Sequence, residues 1–393
     1  MFRAFLILIG VCCYLTANAQ FDIAICPDLT EAPTLQLNKN YSFRDSPAGY
    51  GKVSEFPLNP TRSPILFKEE RNSAWFKFSV PYDGIISFVI TPHKPSDDYD
   101  WMLFEETARL SEDIRKETAI PVRTNNARND ERIGGKTGLK EGFDNLYEIP
   151  GPRKSFSKLV NVKRGDKYAL IVDNIYGEGK GFDLEIRLSL DPERTTLLTG
   201  TIQDKGTPLA GTITVENKPS GTFISATKAD KKGRYSLKVP AQTELSVVAE
   251  HPDYLFQTAN LSSGKDSLNQ DFSLDRIASG NKLVLFNINF LPNKDALLPS
   301  AEAELTRLIN LLKANPQFNI KIIGHTNNNV FAGTRYLQQL SFNRAVTVKK
   351  KLLQNGIQEK RISCAGMGGK YPIADSKDPV EGLKNLRVEV ILF

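Results

Sequence analysis

Two groups of residues in this chain have types and spacing suited to chemistry. The first is His325-Thr326-Asn327, followed along the chain by Leu340-Ser341 and Arg344. Arg344 recurs at helical spacing with Leu337, Leu340, Val348 and Leu352, which sets its guanidinium beside an apolar stripe near the mouth of the preceding loop. A guanidinium held there can clamp a carboxylate at two points. The second group is Asp97-Asp98-Tyr99-Asp100, with Asp173 nearby if the strands pair. These carboxylates are hard oxygen donors suited to calcium; the same acids can instead cap a strand through Asx turns. The three histidines, His93, His251 and His325, fall in three different regions. That leaves a His-rich metal centre or a Ser-His-Asp triad little to work with, and a non-catalytic protein is expected.

The elements that must position the first group lie between 277 and 393. Ile277–Gly280 reads as a linker and Leu283–Phe290 as a strand. Ser300–Ala314 shows helical spacing and is stopped by Asn315-Pro316. Ile320, Ile322 and Gly324 read as a buried strand, and an Asn-rich turn leads to a helix over Thr334–Gln354 that Gly356 ends. Strands follow near Arg361–Ala365 and Arg387–Leu392. The spacing predicts an α/β unit, βαβαβ with a mixed sheet and helices on one face. Residues 193–276 read as short strands broken by turns at Lys205–Pro208 and Asp230–Gly233, a small sandwich. In 20–192, Trp75–Val80, Ile85–Ile90, Tyr168–Val172 and Phe182–Leu188 alternate as strands of another sandwich, and polar Lys116–Gly142 reads as loops. The fold class is therefore multidomain: two all-β sandwiches, then an α/β domain.

Met1–Ala19 reads as a secretory signal peptide: Arg3, an apolar centre too short to span a membrane, then Ala17-Asn18-Ala19. A lipid anchor on Cys12 or Cys13 is disfavoured because bulky Val11 precedes Cys12, and Cys12 itself precedes Cys13, where such sites prefer a small residue. Cleavage leaves Cys26 and Cys364, which are expected as unpaired thiols rather than a disulfide. No later run is long and apolar enough to cross a membrane, and no series of alternating segments suits a barrel. An exported protein, in the periplasm or held against a membrane by partners, is expected. The net charge of +6 is spread along the chain and implies no nucleic-acid partner.

Gly324-His325-Thr326, Leu340-Ser341, Arg344-Ala345, Gly356-Ile357 and Asn385…Arg387-Val388-Glu389 together resemble the OmpA-like C-terminal domain over about 283–393. The resemblance implies non-covalent binding of peptidoglycan through the diaminopimelate of its stem peptide. It places Arg344 on the arginine that grips the diaminopimelate carboxylate, and sets His325, Thr326, Asn327, Leu340, Ser341 and Arg387 at that site. Asn327 stands where the family carries an aspartate for the ligand's ammonium. A neutral acceptor there forfeits about 1–2 kcal/mol, roughly tenfold in affinity, and any counter-charge is expected from the Asp375–Glu381 loop. Asp230, Gly233 and Tyr235 in 193–276 look like the turn motif of a carboxypeptidase regulatory-like domain, and much of 66–190 is similar to prepeptidase C-terminal-type sandwiches. The resemblances imply a periplasmic scaffold, associated with the outer membrane, linking the cell wall to an outer-membrane or envelope protein partner. The alternative is a structural subunit of an envelope secretion or motility assembly whose C-terminal domain has lost wall binding and mediates protein contacts.

Overall fold

A computed structural model describes residues 23–264, 266–328, 332–378 and 381–393. The expected signal peptide, with Cys12 and Cys13, lies outside the described residues. Residues 39–190 build two facing sheets. One runs in the order Lys39–Phe43, Phe182–Leu190, Gly84–Pro92, Thr137–Leu139, Phe156–Ser157, with Val160–Val162 also paired to Gly84–Pro92. The other runs Ser73–Ser79, Lys167–Asn174, Tyr99–Glu105, Arg123–Ala127, Tyr147–Gly151. Strict alternation in Gly84–Pro92 sends Ile86, Phe88 and Ile90 inward, where they meet Phe76, Phe78, Trp101 and Phe182. The outer face of the second sheet is covered too: Trp75, Met102, Phe104 and Ile171 pack under Phe56, Phe67, Leu110 and Ile114.

The polar stretch Lys116–Gly142 is not all loop, as composition suggested. It supplies the strands Arg123–Ala127 and Thr137–Leu139, one to each sheet. Its buried polar groups are satisfied locally: Thr124 Oγ1 donates to the Trp101 carbonyl at 3.0 Å, and Asn125 Nδ2 donates to the Lys154 carbonyl at 3.0 Å. Such a strand pairs without an apolar pattern to announce it.

The next segment forms a smaller pair of sheets. Thr195–Asp204 lies between Thr207–Pro208 and Arg234–Pro240, and Thr212–Asn217 pairs with Phe223–Lys228 and Glu244–Glu250, the latter edged by Gln257–Ser262. At the Asp230–Gly233 turn, Gly233 has φ +72, and a Cβ there would meet the Ile202 carbonyl at 2.3 Å. Only glycine meets both demands.

The C-terminal unit contains β1 (Lys282–Leu285), α1 (Glu302–Ala314), β2 (Ile320–Gly324), α2 (Thr334–Gln354), β3 (Ile362–Gly366) and β4 (Val388–Leu392). The sheet order is β1-β4-β2-β3, with β2 and β3 parallel and the other pairs antiparallel. The chain therefore runs strand, helix, strand, helix, strand, strand, and the sheet is mixed. The first strand is shorter than its apolar run: it stops at Leu285, and the Asn287 N–H turns to the Glu304 carboxyl. Leu305, Leu308 and Leu312 of α1 and Ala345, Val348 and Leu352 of α2 pack with Ile320, Ile322, Val388 and Val390.

Helix α1 also meets the middle sheets. Val248, Leu255 and Phe256 join the same apolar cluster. Arg307 pairs with Glu216, and its Nε lies 3.6 Å from Glu250. Glu304 accepts from Thr258 Oγ1 at 3.0 Å, and Asn287 Nδ2 donates to Ser246 Oγ at 2.7 Å.

Burial lifts the Glu304 carboxyl from its ordinary 4.5 to about 7, so the folded state favours the protonated acid. Its contribution is complete below pH 4.5 and is lost as pH rises through 7. Between pH 5 and pH 8 this residue should account for a fall in unfolding free energy of about 2.5 kcal/mol. Denaturant titrations at both pH values check it: Glu304→Gln should flatten the pH dependence by that amount.

Candidate functional site

The site is set by how closely α2 lies on the sheet. Gly324 and Gly366 face each other in the β2–β3 register. A Cβ on Gly324 would sit 2.0 Å from the Ser341 carbonyl oxygen, and one on Gly366 would sit 2.4 Å from the Phe342 nitrogen. With bare backbone below it, α2 seats Ser341 fully buried, its Oγ donating to the Gln338 carbonyl (2.8 Å) and accepting from the Gly368 N–H (2.9 Å). That fixes the rotation of the helix, and Arg344 follows almost one turn later on the same side.

Arg344 is only 6% exposed. Its Nε donates to the Lys294 carbonyl at 3.1 Å, and its guanidinium carbon lies 4.9 Å from the centre of the Phe290 ring. No carboxylate of the described residues comes within ion-pair distance of it. Burial pulls its pKa below the ordinary value, opposed by the nearby Tyr336 and Asp295 side chains. Asp295 is exposed and follows Lys294 in the loop before α1. Sequence reading missed it, looking for an acid in the 375–381 loop; there Asp375 Oδ1 accepts from the Lys377 N–H at 2.9 Å and Glu381 pairs with Lys384 at 2.6 Å.

The remaining expected residues are placed otherwise. Asn327 is committed to the neighbouring loop: its Nδ2 donates to the Ser376 carbonyl (3.3 Å), and its Oδ1 accepts from Asn385 Nδ2 (3.0 Å) and the Asn328 N–H (3.0 Å). Asn385 is itself buried, accepting the Ile373 and Ala374 N–H groups. Arg387 is turned to Glu389, to which its Nε donates at 2.9 Å and its Nη2 lies at 2.8 Å. His325 Nε2 stands 3.6 Å from the other Glu389 oxygen, an electrostatic contact rather than a formed hydrogen bond. Together His325 and Arg387 draw the Glu389 carboxyl down to about 2. Thr326 is buried, and its N–H donates to the Gly368 carbonyl at 3.0 Å. Leu340 is half-buried on α2. Of the seven residues, Arg344 is the cation with no carboxylate beside it, while Asn327, Ser341 and Arg387 hold the fold around it; Arg387 also keeps one donor, Nη1, buried without a hydrogen-bond partner.

The expected calcium ligands do not converge. Asp97 Oδ2 accepts the Lys180 N–H (2.8 Å), Asp98 Oδ1 the Asn129 N–H (3.0 Å), and Asp173 Oδ1 the N–H groups of Arg71 and Asn72. Among the described residues no group of three or more His, Cys, Asp or Glu is arranged to hold a metal ion. The backbone takes one oxygen each from Asp97, Asp98 and Asp173. Cys26 and Cys364 are both free, and no described helix is long and apolar enough to cross a membrane.

Residues 289–385 match the model of the OmpA family. Over 106 residues the chain is 29% identical to outer membrane porin F of Pseudomonas fluorescens, covering 27% of this chain and 32% of that protein. Over 97 residues it is 33% identical to the peptidoglycan-binding protein ArfA of Mycobacterium bovis, covering 25% of this chain and 29% of that one. The chain thus spans about a third of the length of these relatives. A crystal structure of the periplasmic domain of Helicobacter pylori MotB, residues 97–256, is 28% identical, covers 30% of this chain and 85% of that one, and has a TM-score of 0.27. Residues 289–385 are an OmpA family domain, preceded in this chain by two further pairs of β-sheets.

Proposed function

We propose that this protein is a non-catalytic scaffold of the bacterial cell envelope that holds peptidoglycan non-covalently through its OmpA family domain. One observation carries the reading: Arg344 is buried, unpaired among the described residues, and held by Lys294 and Phe290 so that its Nη groups remain available. The partner such a group lacks is a carboxylate, and the stem peptide supplies one in diaminopimelate. Asp295, beside Lys294, takes the role of acceptor for the ammonium of the same ligand, since Asn327 is committed to Asn385 and Ser376. Relatives named as peptidoglycan-binding and outer membrane proteins support this partner and an envelope location. The sheets before the domain then face an outer-membrane or envelope protein.

A second reading is favoured by the inward turn of Asn327: the domain has exchanged wall binding for protein contacts in an envelope assembly. Co-sedimentation with insoluble peptidoglycan separates the two. Wall binding predicts that the protein pellets, that Arg344→Ala abolishes pelleting, and that Asp295→Asn weakens it by roughly tenfold. Failure of the unmodified protein to pellet selects the second reading; an Arg344→Ala variant that still pellets removes the site.

Folding is checked by a separate contrast between the two buried arginines. Arg344→Met should leave stability within about 1 kcal/mol of the parent, because no ion pair is broken. Glu389→Gln, which strands the Arg387 charge, should cost about 3 kcal/mol in chemical denaturation.

A further inference from the structure

The outer face of the sheet containing Tyr99–Glu105 carries a line of buried acids that the reading above does not use. The register sets Asp173 directly opposite Asp100, and Glu70 and Glu55 continue the line, the Glu55 N–H donating to Glu70 Oε2 at 2.7 Å. Where the apolar cover of this face ends, it opens into a cavity of about 350 Å³. Asp98 and Asp100 form part of its lining, with Phe67 and Tyr176 among its walls and Arg71 and Arg128 among its basic groups. Asp100 is 7% exposed, and its carboxylate has no hydrogen-bond or ion-pair partner among the described residues. Asp98 gives one oxygen to the Asn129 N–H, and its second has no hydrogen-bond partner among the described residues.

The surroundings restrict what fits. A bare metal ion is poorly served, because no three ligating side chains converge among the described residues. A simple anion is repelled by the two aspartates, and a simple dication by the arginines. Arg71 is engaged by Glu69 at 3.0 Å, whereas Arg128 is exposed with no carboxylate within ion-pair distance among the described residues. A buried acid without a partner, Asp100, and an exposed cation without a carboxylate, Arg128, thus stand in one small cavity, and burying an unpartnered polar group is costly. The phenol of Tyr176, half exposed, offers a flat wall for an apolar stem.

We infer that this cavity binds a small zwitterion, its primary ammonium between Asp98 and Asp100 and its carboxylate on Arg128, as in an α-amino acid or the end of a short peptide. The inference is independent of the wall-binding site, which lies in the OmpA family domain.

Calorimetry on the full chain tests it, with alanine and alanyl-alanine as zwitterions, ethylammonium and acetate as single-charge probes, and calcium chloride. A zwitterion should bind at least about tenfold more tightly than either single-charge probe. Asp100→Asn should lower that affinity by at least about tenfold, Arg128→Ala by a similar factor, and Arg344→Ala not at all. Heat from the dipeptide alone identifies a peptide end; heat from alanine as well identifies the free amino acid. Asp100→Asn keeps the shape and removes a desolvated acid, so its melting temperature should not fall; a fall with binding unchanged overturns the assignment. So does the absence of heat from both zwitterions at about 10 mM, or heat from calcium that Asp100→Asn removes.

Discussion

The contact on which the C-terminal unit depends is the seating of α2 directly on the backbone of β2 and β3. Gly324 and Gly366 are neighbours across that parallel pair, and neither can carry a methyl group without driving into Ser341 or Phe342. Packed interiors do not absorb such an intrusion; they shift. The closeness also lets Ser341 Oγ reach the Gly368 N–H, which ties the segment after β3 to the same helix. Two glycines and a serine therefore fix the height and rotation of the helix, and the direction of Arg344 follows from both.

Two buried arginines in this unit meet opposite surroundings. Arg387 has Glu389, with Lys282 and His325 close by, and the carboxyl responds by staying ionised far below its ordinary range. Arg344 has a carbonyl and the face of Phe290. A carbonyl and a ring offset only part of the cost of taking a guanidinium out of water. The fold keeps the second arginine where an external anion would match its charge, and keeps the first where Glu389 matches it already.

Much of this unit was legible in the sequence because its signals are local. The 3.6-residue recurrence of Leu337, Val348 and Leu352 marks α2, and the structure gives it the same limits, Thr334–Gln354. Motif residues were harder to read, since a motif records that a side chain is needed but not which way it faces. Arg387 and Asn327 stand among the motif positions, and both face inward to partners brought near by the fold, Glu389 and Asn385. Asp295 left no sequence signal, because its nearness to Arg344 depends on the Lys294 carbonyl meeting a helix some fifty residues on. Arg123–Ala127 was read as loop because its paired residues are polar, their burial depending on hydrogen bonds from other strands.

Helix α1 lies in one core shared by two units. Its leucines fill the space beneath the C-terminal sheet, while Arg307 and Glu304 are fastened to Glu216 and Thr258 on the sheet before it. Tension on the C-terminal sheet is therefore carried across packed side chains and a buried ion pair, in parallel with the covalent connection at Ile277–Gly280. In mechanical terms the joint is a bracket and not a tether: a protein built this way transmits the direction of a pull as well as its strength.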